Sequence, residues 1–104
     1  MTYCTLEDVK PGVGVPQDDS TYDQEISQTI LEAQAIVDTI LKTLIGELPF
    51  DESNVPDIVR YACADIAAGL FRMRRSPGQR DIFLTLGLDK LSTYAAGFRR
   101  VVKA

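Results

Sequence analysis

The sequence predicts an all-α fold: a small helical bundle with two long antiparallel helices, a short N-terminal helix and a C-terminal helical segment. Three observations predict it. Apolar residues recur every three or four positions over two long stretches, the period of a helix buried on one side. Gly and Pro cluster between these stretches and punctuate them. Little in the chain reads as strand. At 104 residues the chain is one domain long.

Thr5-Leu6-Glu7-Asp8 reads as a helix start, with Thr5 as cap and Asp8 at the reciprocal position of a capping box. Pro11-Gly12 is expected to close this helix, and residues 11–19, with two Pro and two Gly, to form a loop. The loop is not a phosphate loop, because no Gly-Lys-Ser/Thr follows and no strand precedes it. It is not a calcium loop either: counted from Asp18 or Asp19, the sixth position is not Gly and the twelfth is Thr29 or Ile30 rather than Glu.

The first long helix is expected from a Ser20 cap, with Asp23 and Glu25 in its positive first turn. Ile26, Ile30, Ala33, Val37, Ile40 and Leu44 form its apolar stripe, widened by Leu31, Leu41 and Ile45. Asp38 and Lys42 make a favourable pair one turn apart, and Gly46 stops the helix. Its length is about 25 residues, roughly 37 Å, long enough for part of its face to meet a partner.

Residues 47–55 read as an acidic turn, with Phe50 tucked back toward the core. Pro56 fits the first turn of the second long helix, capped by Asn54 or Ser53. Val55, Val59, Ala62, Ile66, Leu70 and Met73 make its stripe, with Ile58 and Phe71 beside it. Ala62, Cys63, Ala64, Ala67, Ala68 and Gly69 make this helix thin, so that another helix can approach closely. Asp65 reads as a surface acid paired with Tyr61 or Arg72, or as a buried functional carboxylate. Arg72, Arg74 and Arg75 end the helix, where the macrodipole favours cations, and Ser76-Pro77-Gly78 turns the chain. The last segment is expected as a short helix from Asp81 to Leu86, a break at Gly87, and a helix from Asp89 to about Val102.

Charge is unevenly spread. Residues 1–54 carry eleven acids and two bases, and residues 55–104 four acids and nine bases, within a net charge of −4. This split fits an internal salt-bridged interface, two solvated helix faces of different sign, or a head-to-tail contact between copies that builds a ring or filament. In the last case Arg72, Arg74, Arg75 and Arg80 are the inter-subunit candidates. The same 72–80 cluster offers an alternative, a small helical DNA-binding or regulatory protein. It lacks interleaved stacking aromatics and sits on an acidic chain.

The sequence has no His, which removes the Ser-His and Cys-His nucleophile pairs and the commonest metal ligand. Cys4 and Cys63 are too far apart in sequence for a zinc knuckle or a CxxC redox motif, and read as small buried hydrophobes kept reduced in a cytoplasm. Acids sit at helix starts and turns, where capping explains them. No catalytic residue, cofactor or metal ligand is expected, and the chain is expected not to be an enzyme. Neither a membrane span nor a secretory signal is expected.

Tyr3-Cys4-Thr5-Leu6-Glu7-Asp8-Val9-Lys10, then a loop, then a helix with Ile26, Ile30-Leu31, Ala33 and Val37-Asp38, then Val55-Pro56-Asp57 opening an Ala-rich helix, resembles the head–tail connector (adaptor) proteins of tailed bacteriophages and prophages. The stretch Tyr94 to Arg100 is similar to that family's aromatic–arginine ending. The chain departs from the family by lacking a proline between Ser92 and Gly97. The resemblance implies a small helical bundle assembling as a ring, usually of twelve copies, in the virion neck beneath the portal protein. The ring would dock head-closure or tail-completion proteins, with DNA passing through its lumen without sequence-specific binding. Before incorporation such a protein resides in the host cytoplasm. On this reading Phe98, Arg99, Arg100, Val101, Val102 and Lys103 are the portal-docking candidates, and residues 98–104 a docking tail that orders on binding.

Overall fold

The computed structural model describes residues 2–51, 53–78 and 81–103, with side chains as far as Phe98. Among these residues it holds four helices and no strand: α1 (Leu6–Val13), α2 (Asp23–Ile45), α3 (Asp57–Arg75) and α4 (Ile82–Lys103). The all-α expectation is met.

α1 opens with the expected capping box. The Asp8 N–H donates to Thr5 Oγ1 at 3.3 Å, and the Thr5 N–H donates to Asp8 Oδ2 at 2.9 Å. The helix does not stop at Pro11-Gly12, as the sequence suggested; it runs to Val13, and Gly14 ends it in the left-handed region at φ 73°. Pro11 brings no N–H, which strips the Glu7 carbonyl of its helical donor. Gln17 replaces that donor: its Nε2 donates to Glu7 O at 3.1 Å. The loop after α1 thus repairs the defect that Pro11 makes inside it.

Ser20 does not cap α2, which starts at Asp23 with no side-chain cap bond. Lys10 organises this entry instead. Its ammonium is buried, donates to the carbonyls of Gln17 at 3.1 Å and Asp19 at 2.9 Å, and lies 3.0 Å from Asp23 Oδ1. The Asp23 carboxylate therefore meets both a cation and the positive end of the α2 dipole.

α2 buries Ile26, Thr29, Ile30, Ala33, Val37 and Leu41. Two expectations fail here. Ile40 and Leu44 are only half-buried, because Leu41 takes the inner position, and Leu31 is 54% exposed. Thr29 enters the core because its hydroxyl donates to the Ile26 carbonyl at 2.7 Å. Asp38 accepts from the Tyr3 hydroxyl at 2.6 Å rather than pairing along the helix with Lys42. Gly46 ends α2 as expected, donating to the Lys42 carbonyl at 2.9 Å.

Before α3, Ser53 and Asn54 do not cap. Ser53 bonds back to Asp51 Oδ1 through its N–H at 2.9 Å and its hydroxyl at 2.6 Å, and Pro56 is the residue at the cap position. α3 is the central helix and packs against the other three. Its thin side works as the sequence suggested: a Cβ placed on Gly69 would lie 2.7 Å from the Leu84 backbone nitrogen of α4. The break expected at Gly87 is absent. α4 is continuous, and Gly87 is buried where α4 meets Ala62 and Ile66 of α3. That glycine admits a neighbouring backbone; it does not end a helix.

Gly69 beside Leu84 and Asp65 paired with Lys90 make α3 and α4 antiparallel. Arg75 paired with Glu25 makes α2 and α3 antiparallel. The bundle measures 47 × 31 × 17 Å. Residues 2–5 cross α2, where the Tyr3 N–H donates to Gln34 Oε1 at 2.9 Å. Tyr3 meets Phe50 edge-on at 5.7 Å, and Phe50 meets Tyr94 at 6.4 Å, so Phe50 folds back toward the core as expected. No helix among the described residues is long and apolar enough to cross a membrane.

Candidate functional site

Two regions gather the residues singled out in the sequence: the last turn of α3 and the C-terminal end of α4. Cations at the end of α3 face its negative dipole end, and the antiparallel α2 brings its acidic first turns alongside. Arg75 takes the tightest place. Its Nη1 and Nη2 donate to Glu25 Oε2 and Oε1 at 2.7 and 3.2 Å. Its guanidinium carbon lies 3.7 Å from the Phe71 ring centroid and 5.3 Å from that of Tyr22. The bonded Glu25 raises the Arg75 pKa further, and Arg75 in turn lowers that of Glu25. Arg74 pairs with Glu32 at 2.5 Å.

Arg72 reaches the other way. Its Nε donates to Asp81 Oδ2 at 2.7 Å, its Nη1 donates to the Gly12 carbonyl at 3.3 Å, and it covers the Phe83 ring. Burial pushes the Asp81 carboxyl up, but the bonds from Arg72 and the Phe83 N–H outweigh it and leave the pKa lowered. Asp81 also accepts the Phe83 N–H at 2.9 Å, so one carboxylate both starts α4 and holds the end of α3. Arg72 and Arg75 flank a cavity of about 380 Å³ that Val13, Met73 and Ile82 also line.

The uneven charge is thus largely used inside the chain. Arg74 and Arg75 bind acids of the first half, and Arg60 binds Asp8 through two bonds of 2.7 and 3.0 Å. The Arg60 bond is the largest influence on Asp8 and holds its carboxyl below the usual range. All three inter-subunit candidates described, Arg72, Arg74 and Arg75, have a carboxylate partner in their own chain. Arg80 lies outside the described residues. Asp65 pairs with neither Tyr61 nor Arg72; Lys90 of α4 is its partner. Among the described residues, no group of three or more His, Cys, Asp and Glu is arranged to hold a metal ion.

At the other end, Phe98 is half-buried. With Ile58, Thr93, Tyr94 and Gly97 it lines a shallow apolar groove of about 350 Å³. Ile58 is the second residue of α3, so α4 continues past the start of α3 for its last five residues, 99–103. The backbone there is helical as far as Lys103. The side chains of Arg99, Arg100, Val101, Val102 and Lys103 lie outside those described.

Sequence reasoning missed the Lys10, Asp65–Lys90 and Tyr3–Asp38 contacts. The last two join residues 25 and 35 positions apart, so no local pattern points to them. A Lys flanked by Val9 and Pro11 in a short helix is the one signal that a buried cation gave. Compared with known proteins, the chain matches no family model, no curated protein and no solved structure.

Proposed function

We propose that this chain is a structural head–tail connector (adaptor) of a tailed phage or prophage. Copies form a ring beneath the portal protein in the virion neck, extend the DNA channel and dock the head-closure or tail-completion protein. The observation that carries this reading is the reach of α4: an unbroken 22-residue helix whose basic, partly apolar end passes the start of α3. Arg72, Arg74 and Arg75 have carboxylate partners in their own chain, and the sequence of that end adds three further cations, Arg99, Arg100 and Lys103. In the proposed docking Val101 and Val102, adjacent in sequence, are the apolar anchors. The motif resemblance in α1, α2 and α3 points the same way.

The test mixes the purified protein with portal-bearing heads and sediments the mixture, with light scattering and negative-stain imaging of the bound material. The reading expects co-sedimentation and ring density beneath the portal vertex. A protein that stays in the supernatant at every concentration and salt overturns it.

A further inference from the structure

We propose that the outward face of α4 pairs antiparallel with the same face of a second copy of this chain, across a two-fold axis, with Asp89 of each copy opposite Arg100 of the other. This inference does not rest on the connector reading. Where both hold, pairing and portal docking compete for the same end of α4.

α4 turns one side to the bundle and the other to solvent. Gly87, Leu91 and Ala95 are buried, and on the opposite side Ile82, Leu86, Asp89, Thr93 and Ala96 are all exposed. The exposed set is spaced 4, 3, 4 and 3 residues apart, the repeat that keeps one stripe facing a partner helix along a coiled coil. The stripe opens with Ile82 and Leu86, large apolar side chains left 64% and 42% exposed. The α4 backbone stays helical to Lys103, so the same spacing reaches positions 100 and 103, which the sequence fills with Arg100 and Lys103.

Charge then selects the occupant. Lys10, Arg60, Arg72, Arg74, Arg75 and Lys90 are ion-paired within the chain, whereas no ion pair or hydrogen bond holds the Asp89 carboxylate among the described residues. The stripe runs from apolar through acidic and uncharged positions to basic ones, so it complements itself when reversed. Antiparallel pairing places Thr93 against Ala96 at the centre, Asp89 against Arg100 next, and Leu86 against Lys103, whose aliphatic stem covers apolar surface. The two-fold axis makes each of these layers occur twice. Parallel pairing would stack Asp89 on Asp89 and Arg100 on Arg100. Sliding the antiparallel partner by one heptad would bring the two Asp89 carboxylates within about one turn of each other. The overlap runs from Leu86 to Lys103, about 27 Å of helix. Its polar layers fix orientation at a cost in stability, so the dimer is reversible.

Sedimentation equilibrium of the full chain, from about 1 µM to about 1 mM, reads the pairing. The expected result is a reversible monomer–dimer equilibrium. Asp89→Arg and Arg100→Asp should each weaken the dimer at least about tenfold, because each sets like charges opposite one another twice. An equimolar mixture of these two variants should regain it as a heterodimer, since one chain then carries two bases and the other two acids at the facing positions. Leu86→Lys, which opposes Lys103, should weaken pairing as well. Circular dichroism checks that each variant keeps its helices. A full chain that stays monomeric throughout, single variants that pair as well as the parent, or a mixture that associates no more than its components overturns the proposal.

Discussion

Gly87 of α4 lies against the backbone of Ala62 in α3: a side-chain carbon at Gly87 would sit 2.8 Å from the Ala62 carbonyl oxygen. Gly97, ten residues along the same helix, has open space at the equivalent place. The two glycines predict opposite outcomes. Gly97→Ala should stabilise by about 0.4–1 kcal/mol, by restricting the unfolded chain and favouring helix. Gly87→Ala gains the same preference but forces α3 and α4 apart, and should destabilise by about 1–3 kcal/mol. Urea unfolding of both variants checks the sign; equal shifts would mean that the helices do not meet at Gly87.

Lys10 holds the loop between α1 and α2 through two carbonyls and the Asp23 carboxylate. Lys10→Met keeps the stem but leaves those acceptors without the ammonium. The expected loss is about 3 kcal/mol, which in a domain of this size lowers the melting temperature by roughly 10 °C or more. Surface lysines do not behave this way, and Lys42→Met, at an exposed position, should stay within about 0.5 kcal/mol of the parent.

The helices were legible in the sequence wherever a repeating stripe met a cap or stop, as at Thr5, Gly46 and the arginines ending α3. Several errors share one physical cause. Pro11, Gly87 and Asp38 have local signals that a contact from elsewhere in the chain overrides: Gln17 repairs the helix at Pro11, Ala62 demands a glycine at 87, and Tyr3 binds Asp38. α2 also carries more apolar residues than its buried side holds, and periodicity alone does not say that Leu31 is the one left in water. The charge split was visible, but not that Arg74 and Arg75 close on Glu32 and Glu25 of the same chain.

Ile66 and Leu31 separate core from surface by measurement. Ile66 is fully buried on α3 facing α4, and Ile66→Ala should cost about 2–5 kcal/mol. Leu31→Ala should change stability by less than about 0.5 kcal/mol in the isolated chain. Chemical denaturation of the two variants checks both figures, and a large loss from Leu31→Ala would place that side chain in an interface between copies.

Asp8 gives the acid limb of stability a named source. Its pKa is lowered from 3.8, first by the Arg60 bond, so its contribution is complete above that value and is lost as pH falls through the lower folded value. Asp81, held by Arg72, acts in the same direction. Stability should therefore be level above about pH 5 and fall steadily below about pH 4. Asp8→Asn should flatten that fall while lowering stability at neutral pH. Urea midpoints between pH 2 and 7 test it, and an unchanged acid slope in the variant would remove Asp8 from the account.

Deletion of residues 99–104 asks whether the end of α4 docks the chain beneath a portal, as proposed above. The truncated protein should keep its helical circular dichroism and melt within a few degrees of the full chain, yet no longer sediment with portal-bearing heads. Truncated protein that still binds those heads with unchanged affinity would contradict the claim, and one that unfolds would place this segment in the bundle's own core.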